Sequence, residues 1–163
     1  MTLIAIDGRA GAGKTTLAAR FLEDLSIKES VAVIHMDDLY AGWNDALGAS
    51  LTRTLESIVN AHQSHSTFEI QIFNWNSMRF DSTRLIEPVN VLILEGVGAG
   101  QKTVRDAGAI LYWLDIEPDV GIERVLKRDG NHIAEQMKQW QIDQEIHFLS
   151  DKTRENAQHI QSS

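Results

Sequence analysis

Cysteine is absent from this 163-residue chain, so disulfides and thiolate metal sites are unavailable to it. Proline occurs twice, as Pro88 and Pro118, each near an expected element boundary, so no proline-rich linker divides the chain. Positive charge is in deficit: 15 Lys plus Arg stand against 23 Asp plus Glu, a net charge of −8. That balance argues against a general nucleic-acid binder, which normally carries a basic face. Long apolar runs are missing too. Those around residues 3–6, 31–34 and 91–94 fall far short of the ~20 residues that span a bilayer. No basic-then-apolar leader is read at the start, and no repeat or low-complexity tract interrupts the rest. What is present is a globular composition, 43% hydrophobic, sufficient for a real core. These features predict one domain over residues 1–163, cytoplasmic, with neither nucleic acid nor membrane as partner.

The densest local signal lies at residues 8–15, Gly-Arg-Ala-Gly-Ala-Gly-Lys-Thr, which fits the phosphate-binding pattern G-x-x-x-x-G-K-[ST]. Its flanks suit it. Leu3-Ile4-Ala5-Ile6 reads as a buried strand, and Leu17, Phe21 and Leu25 recur every four residues, as on a helix with one apolar face. Gly8, Gly11 and Gly13 let the backbone turn its N–H groups into a concavity, and the helix end adds positive potential. Gly8, Gly11, Ala12, Gly13, Lys14, Thr15 and Thr16 are thus the expected nucleotide-binding set. Lys14 is expected to reach the β- and γ-phosphates of ATP, and the Thr15 hydroxyl to ligate Mg²⁺.

Further strands are expected at Val31–Ile34, Val91–Leu94 and Ile110–Leu114, with a short exposed one at Phe68–Phe73. Residues 50–62 place Leu51, Leu55, Ile58, Val59 and His62 on one helical face. After Pro118 the chain reads as helical throughout, over about 119–129, 132–149 and 151–160. Strands alternating with helices predict a three-layer α/β fold whose mostly parallel sheet is flanked by helices, and such sheets bind ligands at their carboxyl ends. Acids follow the strands at Asp7, Asp37-Asp38, Glu95 and Asp115 and are expected to gather around the phosphates. Glu95, after four apolar residues, fits the second nucleotide-binding acid, whose carboxylate meets Mg²⁺ directly or through water. Asp37 is placed to accept the proton of an attacking hydroxyl. The alternatives are a strand-end charge for Glu95 and a turn residue for Asp37.

Gly8 to Thr15, His35-Met36-Asp37-Asp38-Leu39-Tyr40 and Leu94-Glu95-Gly96 together resemble the uridine kinase family of P-loop nucleoside kinases. The chain is similar in particular to small bacterial uridine kinase-like ATP-binding proteins, in which Asp-Asp-Leu-Tyr is followed by Gly-Trp, as at Gly42-Trp43. Glu95 to Gly100 also fits. The resemblance implies a P-loop NTPase fold with a helical lid over about residues 119–135. It implies ATP and Mg²⁺ as cofactors and a small hydroxyl-bearing acceptor, favouring a pyrimidine nucleoside. Another metabolite, or an ATP-binding switch module without catalysis, remains open. It makes Asp37 the base and a member of the metal surroundings with Thr15 and Glu95, and puts Tyr40 against the acceptor. Two departures stand out. Phe73-Asn74-Trp75 replaces the Tyr-Asp-Trp common in the family, and the chain stops at Ser163, where related kinases continue into another strand and helix.

Arg124, Lys127 and Arg128 share one helical face at spacings of three and four. A phosphate-facing lid would use Arg124 and Arg128 as catalytic cations, whereas Lys127 suits a solvated face beside Glu123. Trp43 and Trp75 flank the expected acceptor position and either stack on the acceptor or pack in the core. Trp113 and Trp140 read as core. Arg79 and Arg84 are candidates for an anionic acceptor or plain surface residues. The six histidines show no metal-ligand spacing.

Overall fold

The computed structural model covers Met1–Ser163. Its strands are β1 (Thr2–Gly8), β2 (Val31–His35), β3 (Phe68–Asn74), β4 (Arg79–Ile86), β5 (Val91–Glu95), β6 (Ile110–Asp115) and β7 (His159–Ser162). Its helices are α1 (Lys14–Leu25), α2 (Ala49–Gln63), α3 (Lys102–Asp106), α4 (Pro118–Asp129) and α5 (Ala134–Asp151). Five strands form one sheet in the order β2-β5-β1-β6-β7. Every pairing in it is parallel.

The sheet sits in the middle layer because its central strands are apolar on both faces. Alternation along β1 sends Leu3 and Ala5 to one side, into a core shared with α2 and α5 residues such as Leu55 and Phe148. Ile4 and Ile6 go to the other side, where Leu17 and Phe21 of α1 cover them. The P-loop NTPase fold follows, with the phosphate loop leaving the central strand at its carboxyl end. No helix is long and apolar enough to cross a membrane.

Two parts of the fold depart from the sequence reading. Residues 151–160 do not form a helix. Lys152 adopts a left-handed conformation (φ 55°) that ends α5, a 3-10 turn follows at Arg154–Asn156, and β7 then pairs along β6 from Tyr112↔His159 to Asp115↔Ser162. The free edge of β6 offers ladder hydrogen bonds that outweigh local helix preference. The main sheet thereby has a fifth strand that the sequence reading did not expect. The second departure is β4, whose polar run Arg79-Phe80-Asp81-Ser82 carries no strand signal. It pairs antiparallel with β3 in a separate hairpin, with a register shift between Ile72 and Phe73. This hairpin docks on the main sheet through Arg84, which donates to the carbonyl of Val33, and through the indole of Trp75, described below.

Candidate active site

The phosphate loop is shaped by backbone approaches that leave no room for side chains. Gly11 (φ 80°) and Gly13 (φ 92°) take left-handed conformations. A Cβ on Gly11 would stand 2.2 Å from the carbonyl oxygen of Gly121 in α4, and a Cβ on Gly121 would stand 2.3 Å from that of Ala10. Loop and helix thus touch backbone to backbone. Gly13 begins α1 without any capping side chain, so the first-turn N–H groups stay free to meet an anion. Gly8 and Ala12 support the loop from behind; Ala12 is buried in the α1-side core.

In front of the loop lies a cavity of about 450 Å³. Gly11, Gly13, Lys14, Thr15 and Thr16 line it from the loop, Asp37 and Glu95 from the strand ends, and Arg124 and Arg128 from α4. Tyr40, Trp43 and Trp75 form much of the opposite wall. Most of the dispersed residues singled out from sequence therefore converge, but Arg79 does not line the cavity and sits exposed at the start of β4, paired in register with Asn74, and Arg84, Asp7 and Asp115 lie outside the lining as well. Lys127, as read from sequence, is exposed.

Lys14 is buried, and its Nζ donates to the carbonyls of Gly8 and Arg9 at 2.8 Å each. Burial lowers its pKa, opposed by the carboxylates of Asp7, Glu95 and Asp37. Thr15 Oγ1 donates to Glu95 Oε1 at 3.1 Å, and His35 Nδ1 bonds the same carboxylate. That bond raises the His35 imidazole above its usual value. Asp37 opens into the cavity, and enclosure by its walls, reinforced by Glu95, raises its carboxyl above the ordinary value. No group of three His, Asp or Glu side chains closes around a common point. A hydroxyl, one adjacent carboxylate and a second facing the same space nevertheless fit Mg²⁺. That ion is typically held by one or two carboxylates together with phosphate oxygens and water.

The other strand-end acids serve the scaffold, contrary to the expectation that all would gather at the phosphates. Asp7 is fully buried and accepts the N–H groups of Gly8, Gly98 and Gly100, which ties the segment after β5 to β1. Asp115 accepts from Nε and Nη2 of Arg154 and from the Trp113 indole. Its carboxyl falls below the usual range through the Arg154 hydrogen bonds.

Helix α5 supplies what the sequence reading left out. Trp140, read there as core, is buried and also lines the cavity with Met137 and Ile133. One to two turns further along, Gln144 Oε1 accepts the N–H of Ala10 at 3.0 Å, while Glu145 pairs with the Arg9 guanidinium. The legible signal was the buried spacing Met137, Trp140, Gln144, Phe148, which a polar Gln obscures. On α4, Arg124 Nη1 reaches the Gly11 carbonyl at 3.4 Å and Ser163 Oγ at 2.6 Å, and Arg128 pairs with Asp129.

Comparison with known proteins agrees with this geometry. The family model for the phosphoribulokinase/uridine kinase family matches residues 3–141. A uridine kinase of Staphylococcus haemolyticus is 27% identical over 152 residues, covering 84% of this chain and 72% of that protein. A uridine kinase of Mycoplasma genitalium is 26% identical over 159 residues, covering 85% and 73%. Among solved structures, a possible uridine kinase from Bacillus stearothermophilus superimposes with a TM-score of 0.69 at 18% identity, covering 98% of this chain and 87% of that one. Shikimate kinase from Bacteroides thetaiotaomicron gives 0.54 at 21% identity, covering 99% and 85%. These structural likenesses concern the fold.

Proposed function

Because this chain belongs to the phosphoribulokinase/uridine kinase family, we propose that it is a cytoplasmic ATP- and Mg²⁺-dependent kinase. It transfers the γ-phosphoryl group to a hydroxyl of a small acceptor, a pyrimidine nucleoside by analogy with its relatives. Residues 1–163 act as one domain with a lid over about 119–135. The observation that carries this reading is the shared cavity, lined together by the phosphate loop, Asp37, Glu95 and the aromatic side chains, with Lys14 and Glu95 both acting on Asp37.

The triphosphate lies on the free N–H groups of Gly13 to Thr16, and Lys14 exchanges its two carbonyl partners for phosphate oxygens. Thr15, Glu95 and Asp37 would hold Mg²⁺, which would supply charge neutralisation for the transferring phosphoryl group. The acceptor enters between Tyr40, Trp43 and Trp75, and its hydroxyl points at Asp37. Asp37 accepts the hydroxyl proton as the oxygen attacks. Arg124 and Arg128 stand across the cavity, where forked guanidinium groups match the equatorial oxygens of the transferring group. Most of the rate acceleration then comes from positioning and fixed charge.

The test is Asp37→Asn. Nucleotide binding by calorimetry survives, and ADP release with a nucleoside falls about a hundredfold or more, the range of a lost general base. Turnover that persists in the variant removes the base assignment. In the wild type, falling pH protonates Asp37 and stops proton acceptance. Desolvation by the cavity walls raises this carboxyl above the ordinary value of 3.8 in the free enzyme, whereas bound Mg²⁺ lowers it. The acid limb of the rate is therefore expected to move to higher pH as Mg²⁺ is withdrawn, read from pH–rate profiles at two Mg²⁺ concentrations.

A further inference from the structure

Helix α5 meets the phosphate loop through two consecutive residues. Glu145 Oε2 accepts from Nη2 of Arg9 at 3.1 Å, and Nη1 of the same guanidinium donates to the Ile116 carbonyl at 3.0 Å. Gln144 is 1% exposed, and its Oε1 accepts the N–H of Ala10 at 3.0 Å. It interrupts a buried stripe that is otherwise apolar, made of Met137, Trp140 and Phe148. A polar side chain in such a place is costly unless its hydrogen bond is made.

That bond falls on a particular peptide. The N–H of Ala10 and the carbonyl of Arg9 belong to one planar unit, which is trans and so points them to opposite sides. The same Arg9 carbonyl accepts Lys14 Nζ at 2.8 Å. Holding the N–H from α5 therefore fixes the direction of the carbonyl that meets the lysine. The next carbonyl, that of Ala10, is confined by α4, where a Cβ on Gly121 would stand 2.3 Å from its oxygen. Ala10 itself lines the cavity. The first half of the loop is thus set between two helices, by α5 at an N–H and by α4 at a carbonyl.

We propose that Gln144 is a positioning residue for the phosphate loop, holding the Arg9–Ala10 peptide with its carbonyl aimed at Lys14 and its N–H turned to α5. The inference rests on the kinase reading above for what the loop binds. Without Oε1 the Ala10 N–H loses its partner, and rotation of the peptide toward the cavity relieves it. The rotated loop withdraws a carbonyl from Lys14 and lowers the fraction of molecules ready for a nucleotide, and apparent affinity falls by that fraction. Once bound, phosphate oxygens on the N–H groups of Gly13 to Thr16 hold the loop themselves, so saturating nucleotide restores turnover.

Gln144→Met removes the acceptor oxygen at nearly constant side-chain length. Calorimetry with MgADP, and ADP release with uridine over a range of ATP concentrations, compare it with the wild type. The Kd for MgADP and the KM for ATP are expected to rise about tenfold, with kcat held within about threefold. Gln144→Asn, which draws the oxygen back by one methylene, moves Kd in the same direction and carries the test if the Met variant does not fold. Phe148→Leu is the control. It lies one turn further along α5, where its ring packs on Trp113 outside the cavity lining. This variant lowers Tm and leaves the MgADP Kd within about twofold of the wild type. An unchanged or tighter Kd in the Gln144 variants, a kcat loss larger than the KM rise, or an equal weakening in Phe148→Leu overturns the proposal. Wild type that binds MgADP without phosphorylating uridine overturns the uridine reading, and the Kd comparison still decides the role of Gln144. Turnover by the wild type with an unmoved Kd in the variants does the reverse, and no uptake of MgADP by the wild type overturns both.

Discussion

The two halves of the cavity are made of different materials. On the nucleotide side the working surface is backbone: glycines at φ 80° and 92°, a carbonyl-capped lysine and the bare start of a helix. On the acceptor side it is side chain, with rings delivered by the loop after β2, the β3–β4 turn and α5. A phosphate surface of backbone N–H groups needs only short-range geometry, so consecutive residues can specify it. A wall for an organic acceptor must be assembled from separate elements, and no single segment carries its pattern.

That contrast can be broken first on the nucleotide side. Lys14→Met keeps the loop's glycines but removes the one buried cation. Phosphoryl transfer is expected to fall about a thousandfold, the scale of losing a preorganised charge-stabilising donor. Steady-state ADP release measures it, and a loss below about tenfold would show that the N–H cradle suffices.

A smaller effect is expected where the loop meets α4. Gly121→Ala gains up to about 1 kcal/mol of helix preference. Its new Cβ, however, would stand 2.3 Å from the Ala10 carbonyl oxygen, and backbone on both sides prevents easy relief. Overpacking of this kind costs about 1–3 kcal/mol, so the net change is a lower Tm with weaker ATP binding. Thermal denaturation with and without ATP checks this, and an unchanged or higher Tm would mean that the loop yields freely.

The acceptor side is tested most gently by Trp75→Phe, which keeps a ring and deletes the indole N–H donated to the Asp37 carbonyl. A lost hydrogen bond of this kind costs about 1 kcal/mol. The acceptor KM is expected to rise about fivefold while the ATP KM holds. A change confined to ATP would place Trp75 in the other half.

Much of this was legible before the fold. The phosphate loop, four of the five main-sheet strands and the convergence of Asp37, Glu95, Arg124 and Arg128 follow from local periodicity plus the rule that parallel sheets present their carboxyl ends to ligands. The misses share one cause. β7 and β4 have no strong pattern of their own and exist because a partner edge is available. Trp140 reads as core since burial and cavity lining are the same event for a helix whose face closes a pocket. Asp7 and Asp115 look like Asp37 along the chain, yet their carboxylates are taken by backbone N–H groups and by Arg154.

The sequence by itself determined that a phosphate-binding turn joins a buried strand to a helix, because glycine spacing, an apolar run and a four-residue repeat act over a few bonds. Tertiary structure alone decided which acids face the cavity, that α5 both walls the cavity and holds Arg9 and Ala10, and that residues 159–162 pair along β6. Each of those depends on groups far apart along the chain, whose meeting is set by packing and by the partners left unpaired, not by neighbours in sequence.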